Sequence, residues 1–496
     1  MDDFLTVPAG VASAPSGRKT AIGVLLLSGS NAFRLTVQFL VFPVLARLLA
    51  PADYGLIALA MPIVLFAFTL SEGGMGPAAV RAPDPVGEIE ATMFWTTLAN
   101  GVGYAAILLL GAPFIAAMFS DAAVAPVLMA LAPILVLSAM CSVPAVRIQK
   151  HGTVWIFALG DVASSLAGAM AALGAALTGW GVWSLVAQQL VIWIVKLVVL
   201  TAFAGTWPRR APRRAAFLYL MRHGMPMIGA NLLRLFSNSI DAMLIGRLLG
   251  VEQLGFYALA YQIVRIPESV LNGPVLVSFL PGIARLGADR AAAARMFVDG
   301  LRMMLGVAAP LMLGIALTAD LSVPLLLGPR WHATAPLLML LSPPAIVQTL
   351  GWLSMGLLLG RGRSGLQFQL ALLNAALTLV GVLAGAPFGV FAIAIGVAVS
   401  VVIGNLAFLI AALREVQVPM RTLASAIAPT LASAAFMACG VAGLRALLPA
   451  DLHAVVTLVL AAGTGMLLYV GAMRVLAPDT LAAAMMLLRR HPVTES

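Results

Sequence analysis

Apolar segments of about twenty residues follow one another almost from end to end of this chain, each long enough to cross a hydrocarbon core of roughly 30 Å as a helix. In lipid every backbone N–H and C=O must find its partner within the protein, so helices are what such segments form. Short loops marked by Pro, Gly or Arg separate them, as in LLAPADYG and TWPRRAPRR. The spacing predicts about fourteen transmembrane helices, centred near residues 35, 65, 104, 134, 166, 192, 235, 269, 309, 345, 375, 400, 435 and 465. With 62% hydrophobic and only 10% charged residues in 496, the chain has too little polar surface to cover a soluble globule. No loop exceeds roughly twenty polar residues, which leaves no room for a soluble catalytic domain. The fold class is therefore an all-α integral membrane protein, and no enzyme activity is expected.

The formal net charge of +10 raises the question of nucleic acid. Its distribution answers differently. With the N-terminus inside, basic side chains such as Arg18, Lys19, Arg147, Lys150, Arg209, Arg210, Arg213, Arg214, Arg363 and Arg414 collect on one side. Arg47, Arg247, Arg330 and Arg445 fall to the other. This is the positive-inside bias; it predicts an even helix number with both termini cytoplasmic, and no nucleic-acid partner. The start, MDDFLTVPAG, lacks the basic region and cleavage site of a signal peptide, so residues 1–20 are expected to be a disordered cytoplasmic tail. Cys141 and Cys439 lie far apart in apolar helices, no His or Cys stands at metal-ligand spacing, and neither a metal nor a cofactor is expected. Gly360, Gly362 and Gly365 in GRGRSG match G-x-G-x-x-G, but between two apolar helices and after no strand, which argues against a dinucleotide site. No G-x-x-x-x-G-K-[ST] segment occurs, so transport would draw on an ion gradient or on the lipid substrate gradient.

The chain repeats itself at an offset of two hundred. Asn31, Arg34, Arg47 and Gly55 are matched in register by Asn231, Arg234, Arg247 and Gly255. Composition alone supplies Leu and Ala matches, but not two arginines, an asparagine and a glycine. Six helices separate the copies, so the halves run in parallel about an axis along the membrane normal, an arrangement that places a substrate site between them.

Polar residues in the apolar helices also keep helical phase. Asn31, Arg34 and Gln38 share one face; Asn231, Arg234, Asn238 and Asp241 repeat and extend it. Tyr257, Tyr261, Arg265, Glu268 and Asn272 form a third stripe. A charge at the bilayer centre costs about 2.5 to 3.5 kcal/mol even on the lenient insertion scale, so these stripes must face protein or a water-filled cavity. One reading is packing by pairs: Arg265 with Glu268 and Arg234 with Asp241. The other is an anion clamp, because a guanidinium fork at equal height in each half suits a phosphate or pyrophosphate. Tyr257 and Tyr261 are candidates for stacking on sugar rings, with ordinary packing as the alternative. Asp161, Asp241 and Glu268 are the carboxylates deepest in apolar helices and are candidates for ion coupling.

The phrase FPVLARLLAPADYGLIALAMPIV, residues 42–64, carries Arg47, Leu48 and Leu49 followed by Pro51, Asp53, Tyr54 and Gly55. It resembles the signature of the polysaccharide transporters, the Wzx-type flippases of the multidrug/oligosaccharidyl-lipid/polysaccharide exporter superfamily. GRLLGVEQLGFYALAYQIV echoes it in the second half. The resemblance implies two pseudo-symmetric six-helix lobes plus a C-terminal helix pair, alternately open to either side of the bacterial inner membrane. It assigns residues 21–205 to the first lobe, 206–219 to a basic cytoplasmic linker, 220–413 to the second lobe, 414–480 to the terminal pair and 481–496 to a cytoplasmic tail. It also implies outward movement of undecaprenyl-pyrophosphate-linked oligosaccharide for exopolysaccharide, capsule or O-antigen assembly, alongside membrane lipids, a polysaccharide polymerase and glycosyltransferases. The expected cationic cavity maps onto Arg34, Arg234 and Arg265, with Lys196 as a further candidate. The competing readings are a lipid II flippase, a drug/cation antiporter, which would want an acidic cavity, and a non-transporting scaffold of a polysaccharide synthase.

Overall fold

The computed structural model describes residues 17–82, 87–153, 155–205, 207–208, 210–286, 289–449, 452–478 and 480. Within its helices, the side chains of residues 17–28, 226–227, 230, 266–278, 280–281 and 284 lie outside the description. Among the described residues the chain is helical and forms no strand. The first lobe comprises α1 (Gly17–Leu48), α2 (Pro51–Glu72), α3 (Met75–Arg81), α4 (Glu88–Phe119), α5 (Val124–Leu131), α6 (Pro133–His151), α7 (Trp155–Leu177) and α8 (Val182–Ala204). The second lobe holds α9 (Arg214–Leu249), α10 (Val251–Arg285), α11 (Arg290–Leu327), α12 (Thr334–Gly360), α13 (Ser364–Gly385) and α14 (Val390–Val416). The terminal pair α15 (Met420–Leu447) and α16 (Ala454–Leu476) packs on α11, where the Tyr469 hydroxyl donates to the Gly306 carbonyl at 2.6 Å.

Eleven spans among the described residues are both long and apolar enough to cross a membrane. The helices α1, α9 and α10 are not among them, yet at 32, 36 and 35 residues they have the length. They are the three in which the sequence placed its polar stripes. The fourteen expected centres fall on helices, with α2–α3 and α5–α6 serving as broken spans; Gly73 and Gly74 make the first break with φ of 59° and 62°.

The basic linker is strapped down. Trp207 Nε1 donates to the Met140 carbonyl at 3.1 Å, Trp95 Nε1 to the Arg210 carbonyl at 2.9 Å, and the Arg213 backbone N–H to Thr92 Oγ1 at 2.9 Å. The second lobe's first helix begins at Arg214 rather than near 220, and Ala216 and Leu220 are buried against Met75, Ala79 and Met93 of the first lobe. The sequence boundary is thus crossed by packing: an apolar face at the start of α9 finds its cover in α3 and α4.

At the opposite end the two lobes meet along a seam with local two-fold symmetry. The Cα of Gly55 sits against the carbonyl of Val251, and that of Gly255 against the carbonyl of Pro51, so close that a Cβ would come within 1.7 and 1.9 Å of the respective oxygens. Val251 is the two-hundred-offset equivalent of Pro51, so each half makes the same contact to the other. Small residues let helix backbones approach in this way. The seam continues into the largest buried cluster, which joins Leu56, Leu59 and Ala60 to Leu254, Leu259, Trp331 and Leu337.

Around the seam the helix ends cap one another. Asp53 Oδ2 accepts the Ala50 backbone N–H at 2.9 Å, which diverts that donor from the last turn of α1. The Ala46 carbonyl then accepts the indole N–H of Trp331 at 2.7 Å. In return Arg47 Nε donates to the Leu326 carbonyl at 3.0 Å, and its Nη2 to Leu325, in the last turn of α11. A cation at a helix C-terminus satisfies open carbonyls and complements the dipole. The matched Arg247 reaches Ser120, at the end of α4 in the first lobe, at 3.3 Å. Arg445 pairs with Asp320 at 3.0 Å near the same end of α11. The arginines assigned by sequence to the less basic side therefore share one end of the bundle.

Candidate functional site

A cavity of about 540 Å³ lies below the seam, walled by α1, α2, α7 and α8 and closed by Ala258 and Gln262 of α10. Its wall changes character with depth. Toward the seam it is lined by Phe42, Leu45, Ala169, Leu185 and Tyr54. Away from the seam come Arg34, Gln38, Asp161, Ser164, Ser165, Trp193 and Lys196. Arg34 and Lys196 each stand fourteen residues from the seam end of their helix, and Asp161 sixteen. At 1.5 Å per residue, all three lie about 21 to 24 Å below that end, at a common depth.

The charges are specifically arranged. Lys196 Nζ lies 2.9 Å from Asp161 Oδ1, with side chains 28% and 33% exposed, and 6.0 Å from the Trp193 ring centroid. Arg34 Nη2 donates to Asn31 Oδ1 at 2.9 Å, one turn back on α1. Two cationic groups against one carboxylate leave the lining with an excess of one positive charge. The Tyr54 hydroxyl, also on this wall, is buried with no hydrogen-bond partner among the described residues. A buried orphan hydroxyl carries a desolvation cost that a ligand's polar group would relieve.

Of the sequence candidates, Arg34, Gln38 and Asp161 line this cavity, and Asn31 holds Arg34. Asn231, Arg234 and Asn238 are exposed on α9 and are not part of its wall, so in this conformation Arg34 lines the cavity without its matched partner. Asp241 is buried in the second lobe, where Tyr257 donates its hydroxyl to Oδ2 at 2.7 Å. Asp241 is held by Tyr257, with no ion pair to Arg234 among the described residues, and Tyr257, 1% exposed, is core packing in this conformation and offers no face to a sugar. Tyr261 stacks on Tyr257 with centroids 5.9 Å apart, and Arg265 lies 5.7 Å from the Tyr261 centroid. The side chains of Glu268 and Asn272 lie outside the described residues.

Sequence reasoning passed over Ser164, Ser165, Gln188, Gln189, Gln262 and Tyr54. The signal was present for some of them: Asp161, Ser164 and Ser165, like Gln189 and Lys196, share one helical face in α7 and α8.

Residues 44–336 match the family model described as polysaccharide biosynthesis protein. The succinoglycan biosynthesis transport protein ExoT of Rhizobium meliloti (strain 1021) is 27% identical over 365 residues, 74% of each chain. The lipopolysaccharide biosynthesis protein WzxC of Escherichia coli (strain K12) is 22% identical over 390 residues, 77% of this chain and 76% of that one. Among solved structures, the lipid II flippase MurJ in its inward closed conformation superposes with a TM-score of 0.70 at 11% identity, covering 94% of this chain and 99% of that one. An inward-facing multidrug resistance MATE family transporter of the MOP superfamily gives 0.61 at 12% identity, covering 77% and 94%. These structural likenesses establish the fold.

Proposed function

This chain belongs to the polysaccharide biosynthesis protein family, and from that premise we propose that it is a flippase for undecaprenyl-pyrophosphate-linked oligosaccharide repeat units. It serves exopolysaccharide, capsule or O-antigen assembly at the bacterial inner membrane, with the basic end of the bundle cytoplasmic. The observation that carries the reading is the excess positive charge at one depth of a cavity sealed by the two-fold seam. A pyrophosphate is attracted there by Arg34 and Lys196; the guanidinium forks onto phosphate oxygens. Gln38, Gln189 and the orphan hydroxyl of Tyr54 supply partners for the first sugar. About 540 Å³ suits that headgroup, with the polyprenyl chain left in lipid.

Alternating access then requires the seam to part while the contact between α9 and the first lobe, at the basic end, takes over as the closed side. Arg234, at the height of Arg34 on α9, is positioned to complete the clamp as the lobes rock. Asp161, Asp241 and Glu268 are the carboxylates that would carry ion coupling, Asp161 foremost because it already faces the cavity.

The test is binding of a polyprenyl pyrophosphate to the purified protein. Affinity is expected to fall as salt rises and to fall again in Arg34→Gln and Lys196→Gln, while organic cations do not compete. Tight cation binding abolished by Asp161→Asn would replace this reading with a cation antiporter.

A further inference from the structure

The GRGRSG loop joins α12 to α13 at the basic end of the bundle, and it edges a second cavity that the transport site does not use. This groove, of about 740 Å³, runs between the start of α13 and the end of α14. Its floor is apolar, built from Leu366, Leu370, Ala407 and Ile410, with Leu366 and Ile410 38% and 40% exposed. Its rim is charged. Arg363 Nε donates to Glu415 Oε2 at 2.9 Å, and Arg361 Nε lies 3.7 Å from the other oxygen of the same carboxylate. The inner members are shielded, Arg361 at 10% and Glu415 at 13% exposure, whereas Arg363 is 56% exposed. Arg414 is also exposed on this rim, and no ion pair engages it among the described residues. One carboxylate is thus shared by two guanidiniums, with Arg414 beside them on the same rim.

We propose that this groove binds an anionic phospholipid of the adjoining leaflet, the phosphate between Arg363 and Arg414 and an acyl chain along the Leu366–Leu370 and Ala407–Ile410 floor. The two halves of the groove select the ligand together. Exposed arginines at the bundle's end, with apolar helix faces directly beneath, match an amphiphile whose anion and hydrocarbon are covalently joined. A soluble phosphate would satisfy the rim but leave the floor exposed; a neutral lipid would cover the floor but leave the excess charge uncompensated. The proposal is independent of the transported substrate, because the groove shares no lining residue with the cavity of Arg34 and Lys196.

The experiment measures retention of phosphatidylglycerol, phosphatidylcholine and inorganic phosphate by the intact purified protein, using native mass spectrometry after delipidation and re-addition. Phosphatidylglycerol is expected to be retained over phosphatidylcholine. The double variant Arg363→Gln/Arg414→Gln should weaken it about ten- to thirty-fold, from roughly 1 kcal/mol per arginine. Arg290→Gln/Arg295→Gln, at the same end but on α11, should leave it unchanged. Ala407→Phe fills the floor with every charge kept; it should displace the lipid while the protein elutes as wild type, so the test survives a misfolded double variant. Equal retention of both lipids, or phosphatidylglycerol binding unaltered in both the double variant and Ala407→Phe, overturns the proposal. Phosphate binding that depends on the arginines, with lipid retention indifferent to Ala407→Phe, would make the groove a free-anion site and overturn it equally.

Discussion

Trp331 donates its indole N–H to the carbonyl of Ala46 at 2.7 Å, across the boundary between the lobes. The bond exists because Asp53 has taken the Ala50 N–H, which leaves the last turn of α1 an acceptor to share. The same indole is fully buried, edge-on to Tyr54 at 5.3 Å and to Phe256 at 6.0 Å. One side chain therefore links the cavity wall, the second lobe and the end of α1.

Trp331→Phe keeps most of the packing and removes the donor. Leaving the Ala46 carbonyl unsatisfied should destabilise the sealed state by about 1 to 3 kcal/mol. Pulsed electron paramagnetic resonance distances between spin labels on either side of the seam should show a larger separated population. An unchanged distance distribution would mean that the bond is incidental to closure.

Gly55→Ala and Gly255→Ala should each prevent the seam from closing, because the new methyl would meet a backbone oxygen at 1.7 or 1.9 Å and neither carbonyl can rotate out of its helix. The two variants should behave alike, as two-fold partners. With Ala58→Cys as a reporter on the cavity wall, labelling by an impermeant maleimide from the seam side should rise in both and transport should fall. Protection equal to that of the parent would refute the close-contact requirement.

The Asp161–Lys196 pair separates structure from function. Asp161→Asn or Lys196→Gln alone should lower stability by about 1 kcal/mol, discounted for partial exposure, because each strands a charge near mid-membrane. The double variant should recover most of that loss in a thermal melt yet bind polyprenyl pyrophosphate less tightly than wild type. Full binding by the recovered double variant would leave Lys196 with packing alone.

Tyr257→Phe should cost about 1 to 3 kcal/mol by removing the hydroxyl that satisfies the buried Asp241 carboxylate. Asp241→Asn should be milder, since an amide oxygen still accepts that bond. Comparing the two in a denaturation series checks the order, and the reverse ranking would show that Asp241 is held chiefly by its charge.

Much of this was legible in the chain. Helix phase put Asn31, Arg34 and Gln38 on one face, and the structure turns that face to the cavity with Asn31 bonded to Arg34. The offset of two hundred matched Arg47 with Arg247 and Gly55 with Gly255, and both pairs lie at the lobe boundary. Their role there was not legible. A repeat shows that two positions share an environment, but not that the environment is each other.

The sequence by itself determined the class, the helical elements, the two-fold relation and the faces that could not meet lipid, because these follow from local hydrophobicity, helical period and the cost of burying charge. Only the tertiary structure decided which polar faces converge. It brought Asp161 and Lys196 from α7 and α8 to the depth of Arg34, gave Asp241 to Tyr257, and drew the start of α9 onto the first lobe. Such pairings depend on the rotation and crossing of helices distant in sequence, and those are set by the close approach of side chains and glycines that no periodicity within a single helix encodes.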